Sequence, residues 1–339
     1  TTLSEGKVCF RYLLSASFLF PLGTALSAFY LGQGQTKKVI LTSLMGHALH
    51  ILLDFPLVFG IPGYLVPLGA LGSVISAIIA QLFFCLLLLK DFLGIKNRIA
   101  YATNRFSLKW VSFWKYTSIS IPRSVAKMIQ FGSWIAITRI MMSKGGDYAA
   151  VVAFGGSLQL FFLCLNEGMS QALTTIGAYL IGSKQPLIWK AIRSGCLFLA
   201  LESLVLAIPL IFFPESMVSL FFKQHPSYTL SAGLSFSCIW IWLSFLAEGL
   251  NLLGFALLSA YGDTIFQMWF AISSWVIGFI PIYFLIERGD SSPDTFWLIL
   301  AIGKFIAAGI YFLRLLQEKW KTTSILVSSR LPILKTLEE

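Results

Sequence analysis

Charge is scarce in this sequence. Asp, Glu, Lys and Arg make up 12% of its 339 residues, and 57% are hydrophobic, whereas soluble domains carry roughly 25% charged residues. A soluble globular domain is therefore excluded, and a mean hydropathy of +0.81 points to a membrane protein with several spans. Histidine is scarcer still, at three residues. No H-E-x-x-H, G-x-S-x-G or paired-aspartate motif occurs, so a membrane-embedded enzyme has poor support and no enzyme is expected. Cys9, Cys85, Cys164, Cys196 and Cys238 stand singly, with no C-x-x-C pair and no histidine at ligand spacing. They read as small packing residues. The net charge of +10 lies in short segments between apolar runs, which excludes a nucleic-acid surface and instead supplies topology signals. No signal peptide is visible, and the chain opens TTLSEGK without an initiator methionine, so a longer gene product is expected.

What is present is a series of apolar stretches of the length a helix needs to cross a bilayer. Nine are expected, at about 10–31, 39–60, 65–89, 118–143, 149–181, 191–222, 229–260, 265–286 and 295–317. Short connections with turn chemistry separate them, among them GQGQTKK at 32–38, KGGD at 144–147 and YGD at 261–263. Only 94–117 is long enough to link two halves. Lys and Arg cluster at 32–38, 90–123, 182–193 and the tail from Arg314, while the alternate connections hold few. Because short cytoplasmic loops carry the excess of positive charge, the C-terminus is expected in the cytoplasm and the residue-1 end outside. Both termini inside would require an odd number of further helices upstream.

An ionisable group at a helix centre costs ~2.5–3.5 kcal/mol on insertion scales, so each one is a site hypothesis. Glu167, Glu202, Glu248 and Lys304 fall near the middles of their spans, with Gln130 close to that level. These groups either pair structurally, for instance Lys304 with Glu202 or Glu248, or line a polar cavity. Lys127 and Arg139 are further cations in a span. On the second span His47, His50 and Asp54 share one helix face at i, i+3 and i+7. A metal site, a patch lining a watery cavity and packing-satisfied groups are all open there, but no fourth ligand is visible. The aromatics Tyr261, Trp269, Trp275, Trp297 and Trp320 suit interface anchoring or packing better than ligand stacking.

Pro21, Pro56, Pro122, Pro209 and Pro281 lie inside spans, where neighbouring helices can satisfy the freed carbonyls. Pro56 and Pro281 follow similar turns, GQT at 34–36 and GDT at 262–264, and the preceding spans end alike, ALSAFYLGQGQT against ALLSAYGDT. One two-helix unit thus recurs about 228 residues later in the same orientation. Parallel repeats of this kind occur in transporters, with the site at the repeat interface.

With these segments in this order, the sequence resembles the multidrug and toxic compound extrusion (MATE) family. ALSAFYLGQGQTKKVI resembles the end of the family's fourth helix, and ILLDFPLVFG with PLGALGSVISAIIAQ its fifth and the start of its sixth. NEGMSQALTTIGAYLIGSKQ resembles the end of the eighth helix, and LLSAYGDTIFQMWFAISSWVIGFIPIYFLI the junction of the tenth and eleventh. The resemblance implies an all-α polytopic membrane protein of twelve helices in two pseudo-symmetric bundles, of which this chain holds the fourth to twelfth. The division expected is 1–93 for the last three helices of the first bundle, 94–117 for a cytoplasmic linker, 118–318 for the six-helix second bundle and 319–339 for a cytoplasmic tail.

Residue by residue, the resemblance implies that Glu248, fifteen before Asp263, matches the family's tenth-helix carboxylate, and that His50 and Asp54 match a fifth-helix polar pair. Where many members carry a seventh-helix glutamate eight after the opening proline, this chain has Gln130. The implied function is export of amphipathic, cationic organic compounds by proton or sodium antiport with alternating access. Glu248, Asp54, His50 and Gln130 are then the coupling positions, with Glu167, Glu202, Lys304 and Lys127 as cavity-lining charges. No metal or cofactor beyond the coupling ion is implied. The expected partners are a small-molecule substrate and membrane lipid, with no nucleic acid, in a monomer of a bacterial inner membrane. A lipid-linked oligosaccharide flippase of the same superfamily and a degenerate, non-transporting membrane protein are the alternatives.

Overall fold

The structure is a computed structural model that describes residues 2–105, 107, 109–183, 188–222, 228–289 and 291–317. The expected tail 319–339, with Trp320, lies outside the described residues. Among those described the chain is helical apart from turns and one isolated bridge between Ile61 and Leu65. Eight helical stretches are long and apolar enough to span a membrane. Stretches of this length and composition make the protein an integral membrane protein. The fourth expected span is present as a 34-residue helix but falls outside that set. Its basic residues Lys115, Arg123, Lys127 and Arg139 lower its hydropathy.

The chain forms two compact units, Thr1–Leu108 and Lys109–Glu339. In the first, α1 (Thr2–Ser15) and α2 (Leu19–Gly32) make one span interrupted at 16–18, followed by α3 (Thr36–Phe59), α4 (Ala70–Phe92) and the short α5 (Ile95–Tyr101). The stretch 94–117, expected as a linker, thus holds a helix and the start of another. Gly72 lets α4 approach the end of α3, because a Cβ there would strike the Leu57 carbonyl.

The second unit contains α6 (Trp110–Ser143), α7 (Gly146–Gly182), α8 (Ile188–Ala207), α9 (Pro214–Phe221), α10 (Tyr228–Tyr261), α11 (Thr264–Ile282) and α12 (Thr295–Leu316). Wide π turns extend α8 over Ile208–Phe212 and α11 over Tyr283–Arg288. Each lies at or just after a proline, Pro209 and Pro281, whose missing N–H breaks the regular ladder. Pro56 and Pro122 are instead absorbed within α3 and α6.

α10 is the centre of this unit. Its span is 72% buried, against 33% at most in the other spans. Lipid supplies little hydrophobic drive between helices, so close packing and side-chain hydrogen bonds must hold them. Small residues on α10 permit this: a Cβ at Gly249 would meet Leu199 of α8, and one at Gly254 would lie 2.6 Å from Tyr311 of α12. Polar side chains on one face of α7 then bond across to α10 carbonyls. Gln159 donates to Ile241 O (3.3 Å), Asn166 to Phe245 O (3.3 Å), Ser170 to Leu252 O (3.3 Å) and Thr174 to Ala256 O (3.4 Å). Trp297 is fully buried, lies where any Cβ on Gly155 would have to go, and donates its indole N–H to Val151 O at 3.2 Å. It is a packing residue, whereas Trp269 is 61% exposed and fits the anchoring role.

The sequence repeat reappears as one turn built twice. Gly34 and Gly262 have φ of +74° and +81°. Each following residue has nearly the same backbone angles, −84°/49° at Gln35 and −79°/56° at Asp263. The hydrogen bonds coincide too: Gln35 N to Tyr30 O and Asp263 N to Leu258 O, both at 2.9 Å. The side chains have diverged. In the first unit Lys38 pairs with Asp91 at 2.7 Å, whereas in the second Asp263 accepts from Arg314, Nη2 at 3.0 Å.

Candidate functional site

Polar groups within a span stay where they find partners, and the described residues sort the sequence's candidates accordingly. An enclosed ion pair joins α10 to α12. Glu248 Oε2 sits 3.3 Å from Lys304 Nζ of α12, with side chains 14% and 20% exposed. Lys304 Nζ also donates to Gln159 Oε1 on α7 at 3.4 Å, and Gln159 in turn donates to Ser244 Oγ on α10. Asn251, one turn beyond Glu248, donates to the Lys304 carbonyl at 2.9 Å. Three helices therefore meet at one carboxylate and one ammonium, with an amide completing the ammonium's contacts. Of the two pairings that the sequence leaves open for Lys304, the structure has the one with Glu248.

Chemically the arrangement is a carboxylate held by a cation it can exchange. A proton arriving on Glu248 removes the attraction to Lys304, yet the Asn251 bond to the Lys304 backbone remains. The side chains can part while the helices stay in register.

A second pair joins α6 to α7: Lys127 Nζ contacts Glu167 Oε1 at 2.6 Å. Gln130, one turn beyond Lys127 on α6, is exposed and shares no hydrogen bond with Glu248 among the described residues. Glu202 on α8 keeps its Oε2 buried without a hydrogen-bond partner. The five groups expected at one level thus resolve into two ion pairs, drawing in Lys127, and two residues apart from them.

In the first unit Asp54 accepts from Ser76 Oγ of α4 at 2.8 Å. It lines an open depression of about 390 Å³ with Ile51, Phe55, Val58 and Ser73. His50 lies one turn before it with Nε2 buried and unpartnered, and His47 is exposed. No three His, Cys, Asp or Glu converge as metal ligands among the described residues.

Gln159, Asn251 and Ser76 were missed by sequence reading because neutral amides and hydroxyls are common in spans. A signal existed on α7, where Gln159, Asn166, Ser170 and Thr174 recur at helical spacing along one face.

The MatE family profile matches residues 122–284. A relative named "Probable multidrug resistance protein NorM" from Thermotoga maritima is 21% identical over 337 residues, covering 96% of this chain and 70% of its own. One of the same name from Bacillus thuringiensis subsp. konkukian is 24% identical over 313 residues, covering 89% of this chain and 66% of its own. The crystal structure of MATE in the straight conformation superposes with a TM-score of 0.78 at 18% identity, over 93% of this chain and 70% of the other.

The chain is similar to the MATE family, in sequence over residues 122–284 and in fold over most of its length. That family is one of transporters and not of enzymes, and its fold is the one observed here. A MOP superfamily transporter from Pyrococcus furiosus is similar as well, with a TM-score of 0.76 at 17% identity over 92% of this chain and 69% of the other. The chain thus spans about two thirds of the length of these MATE relatives.

Proposed function

We propose that this chain is the greater part of a secondary multidrug exporter. It moves amphipathic, cationic organic compounds across the membrane in exchange for protons, with Glu248 as the coupling acid. The observation that carries the reading is the pairing of Glu248 with Lys304 at 3.3 Å in a largely buried setting between α10 and α12. A carboxylate so placed distinguishes a proton or a cationic ligand from solvent, because each must displace the ammonium to bind. Any such ligand shifts the balance of inward-open and outward-open states only through different affinities for the two. Proton and substrate competing for one acid have that property. Sodium is the weaker choice of coupling ion: it requires several oxygens, and the ammonium already occupies the carboxylate while Gln130 replaces a second acid. Asp54, bonded to Ser76 and next to His50, is the corresponding candidate of the first unit.

The names of the relatives support export of many drugs rather than of one metabolite. The basic segments 32–38 and 182–193 support a cytoplasmic C-terminus.

The test is transport by the full-length protein in proteoliposomes, with a fluorescent organic cation and either a pH or a sodium gradient. Wild type is expected to follow the pH gradient. Glu248→Gln is expected to fold and bind the dye but to lose gradient-driven movement. Equal coupled transport by Glu248→Gln removes Glu248 from the mechanism, and coupling to sodium alone removes the proton.

A further inference from the structure

Arg123 and Lys127 lie at i and i+4 on α6, which puts them on one face. Both heads come to rest over one ring of α10. The Arg123 Cζ is 5.5 Å and the Lys127 Nζ 5.2 Å from the Phe255 centroid. Phe255 itself is only 7% exposed. A single carboxylate serves these two cations: Glu167 sits 2.6 Å from Lys127.

Arg123 is half-buried, and among the described residues no carboxylate, carbonyl or hydroxyl accepts a hydrogen bond from its guanidinium. Its nitrogens are not sealed from the surface. Two positive charges against one negative leave an uncompensated cation near the end of the span that α6 forms. A guanidinium presents its donors in a rigid fork that matches phosphate and carboxylate oxygens, and an adjacent ammonium adds a point charge. Phe131, one turn beyond Lys127 on α6, is exposed and offers apolar surface beside the charged pair.

We propose that Arg123 and Lys127, held over Phe255, form a seat for a phosphate- or carboxylate-type oxyanion at the head of an amphipathic molecule. The seat uses neither Glu248 nor Lys304, so it stands or falls independently of proton coupling. Its occupant is either a membrane lipid headgroup or a soluble anion, since both present the same oxygens.

The test is binding of dodecyl phosphate to the purified full-length protein in a non-ionic detergent, followed by calorimetry. Wild type is expected to bind saturably. Arg123→Gln is expected to bind at least about tenfold more weakly, the loss of one strong charge-assisted bond. Arg123→Lys, which keeps the charge but not the fork, is expected to fall between them. Arg139→Gln, which removes an exposed arginine of the same helix, is expected to leave binding unchanged. Because Arg123 has no protein acceptor, its replacement by Gln is expected to leave the melting temperature intact. Should that variant fail to fold, the Arg123→Lys result decides. Absence of binding by wild type, equal binding by both Arg123 variants, or an equal loss in Arg139→Gln overturns the proposal. Competition by millimolar inorganic phosphate identifies a soluble anion. Retention of phosphatidylglycerol, but not phosphatidylcholine, in native mass spectra of wild type and not of Arg123→Gln identifies a lipid headgroup.

Discussion

Replacing Lys304 by methionine keeps most of the unbranched stem and removes its charge, leaving the Glu248 carboxylate enclosed without its counter-ion. At 3.3 Å and an effective dielectric of about 20, the lost attraction is about 5 kcal/mol. Two corrections reduce it. Both side chains retain some exposure, 20% and 14%, and desolvation of the pair already offsets much of the Coulomb term in the wild type. Against these stands the loss of the bond to Gln159, about 1 kcal/mol. The expected cost of Lys304→Met alone is therefore about 2–3 kcal/mol. Adding Glu248→Gln, which removes the stranded charge while keeping the shape, is expected to recover most of it and to give a coupling energy of about 2 kcal/mol. The assay is a double-mutant cycle on purified full-length protein, by denaturant unfolding in mixed micelles. The Asn251 bond to the residue-304 carbonyl survives in every variant, so helix register is held constant across the cycle. A coupling energy below about 0.5 kcal/mol, the range of exposed surface pairs, would refute the view that Lys304 and Glu248 hold each other.

Two further outcomes are expected from packing and backbone geometry. Gly155→Ala places a methyl group against the fully buried Trp297 indole, and is expected to destabilise the protein by about 1–3 kcal/mol; an unchanged unfolding midpoint would show that the indole yields. Gly34→Ala and Gly262→Ala each force a side chain onto a backbone at φ of +74° or +81°. They are expected to cost about 1–2 kcal/mol apiece, and a large difference between the two would refute the equivalence of the turns.

The spans were legible because apolar runs of bilayer length have few other uses, and the repeat because glycine at a positive φ is hard to replace. Length and turn chemistry placed every helix that later formed a span, although α6 begins well before the expected residue 118. Partner choice was the part that could not be read. Glu248 and Lys304 are 56 residues apart in sequence, and both Glu202 and Glu248 lay at a suitable depth. Which carboxylate meets the lysine depends on how α12 is rotated against α10. That rotation is set by close contacts such as Gly254 on Tyr311, which no single helix's pattern reveals. Arg123 was hidden for another reason: beside Pro122 and near the end of its span it counted as a topology charge, and only its position over Phe255 sets it apart.

The turn built twice keeps two records at different rates. Its main-chain bonds, from Gln35 and Asp263 back to residues five earlier, need the glycine at positive φ before them but no particular side chain at the bonded positions. The ion pairs beside them run in opposite senses, lysine to aspartate across α3 and α4 in one unit and, in the other, from the aspartate just before α11 to arginine on α12. A graft of one turn into the other half would keep the backbone and yet bring the wrong charge to its new neighbour. Each copy of the turn is thus tied to its own partner, and the halves cannot exchange parts.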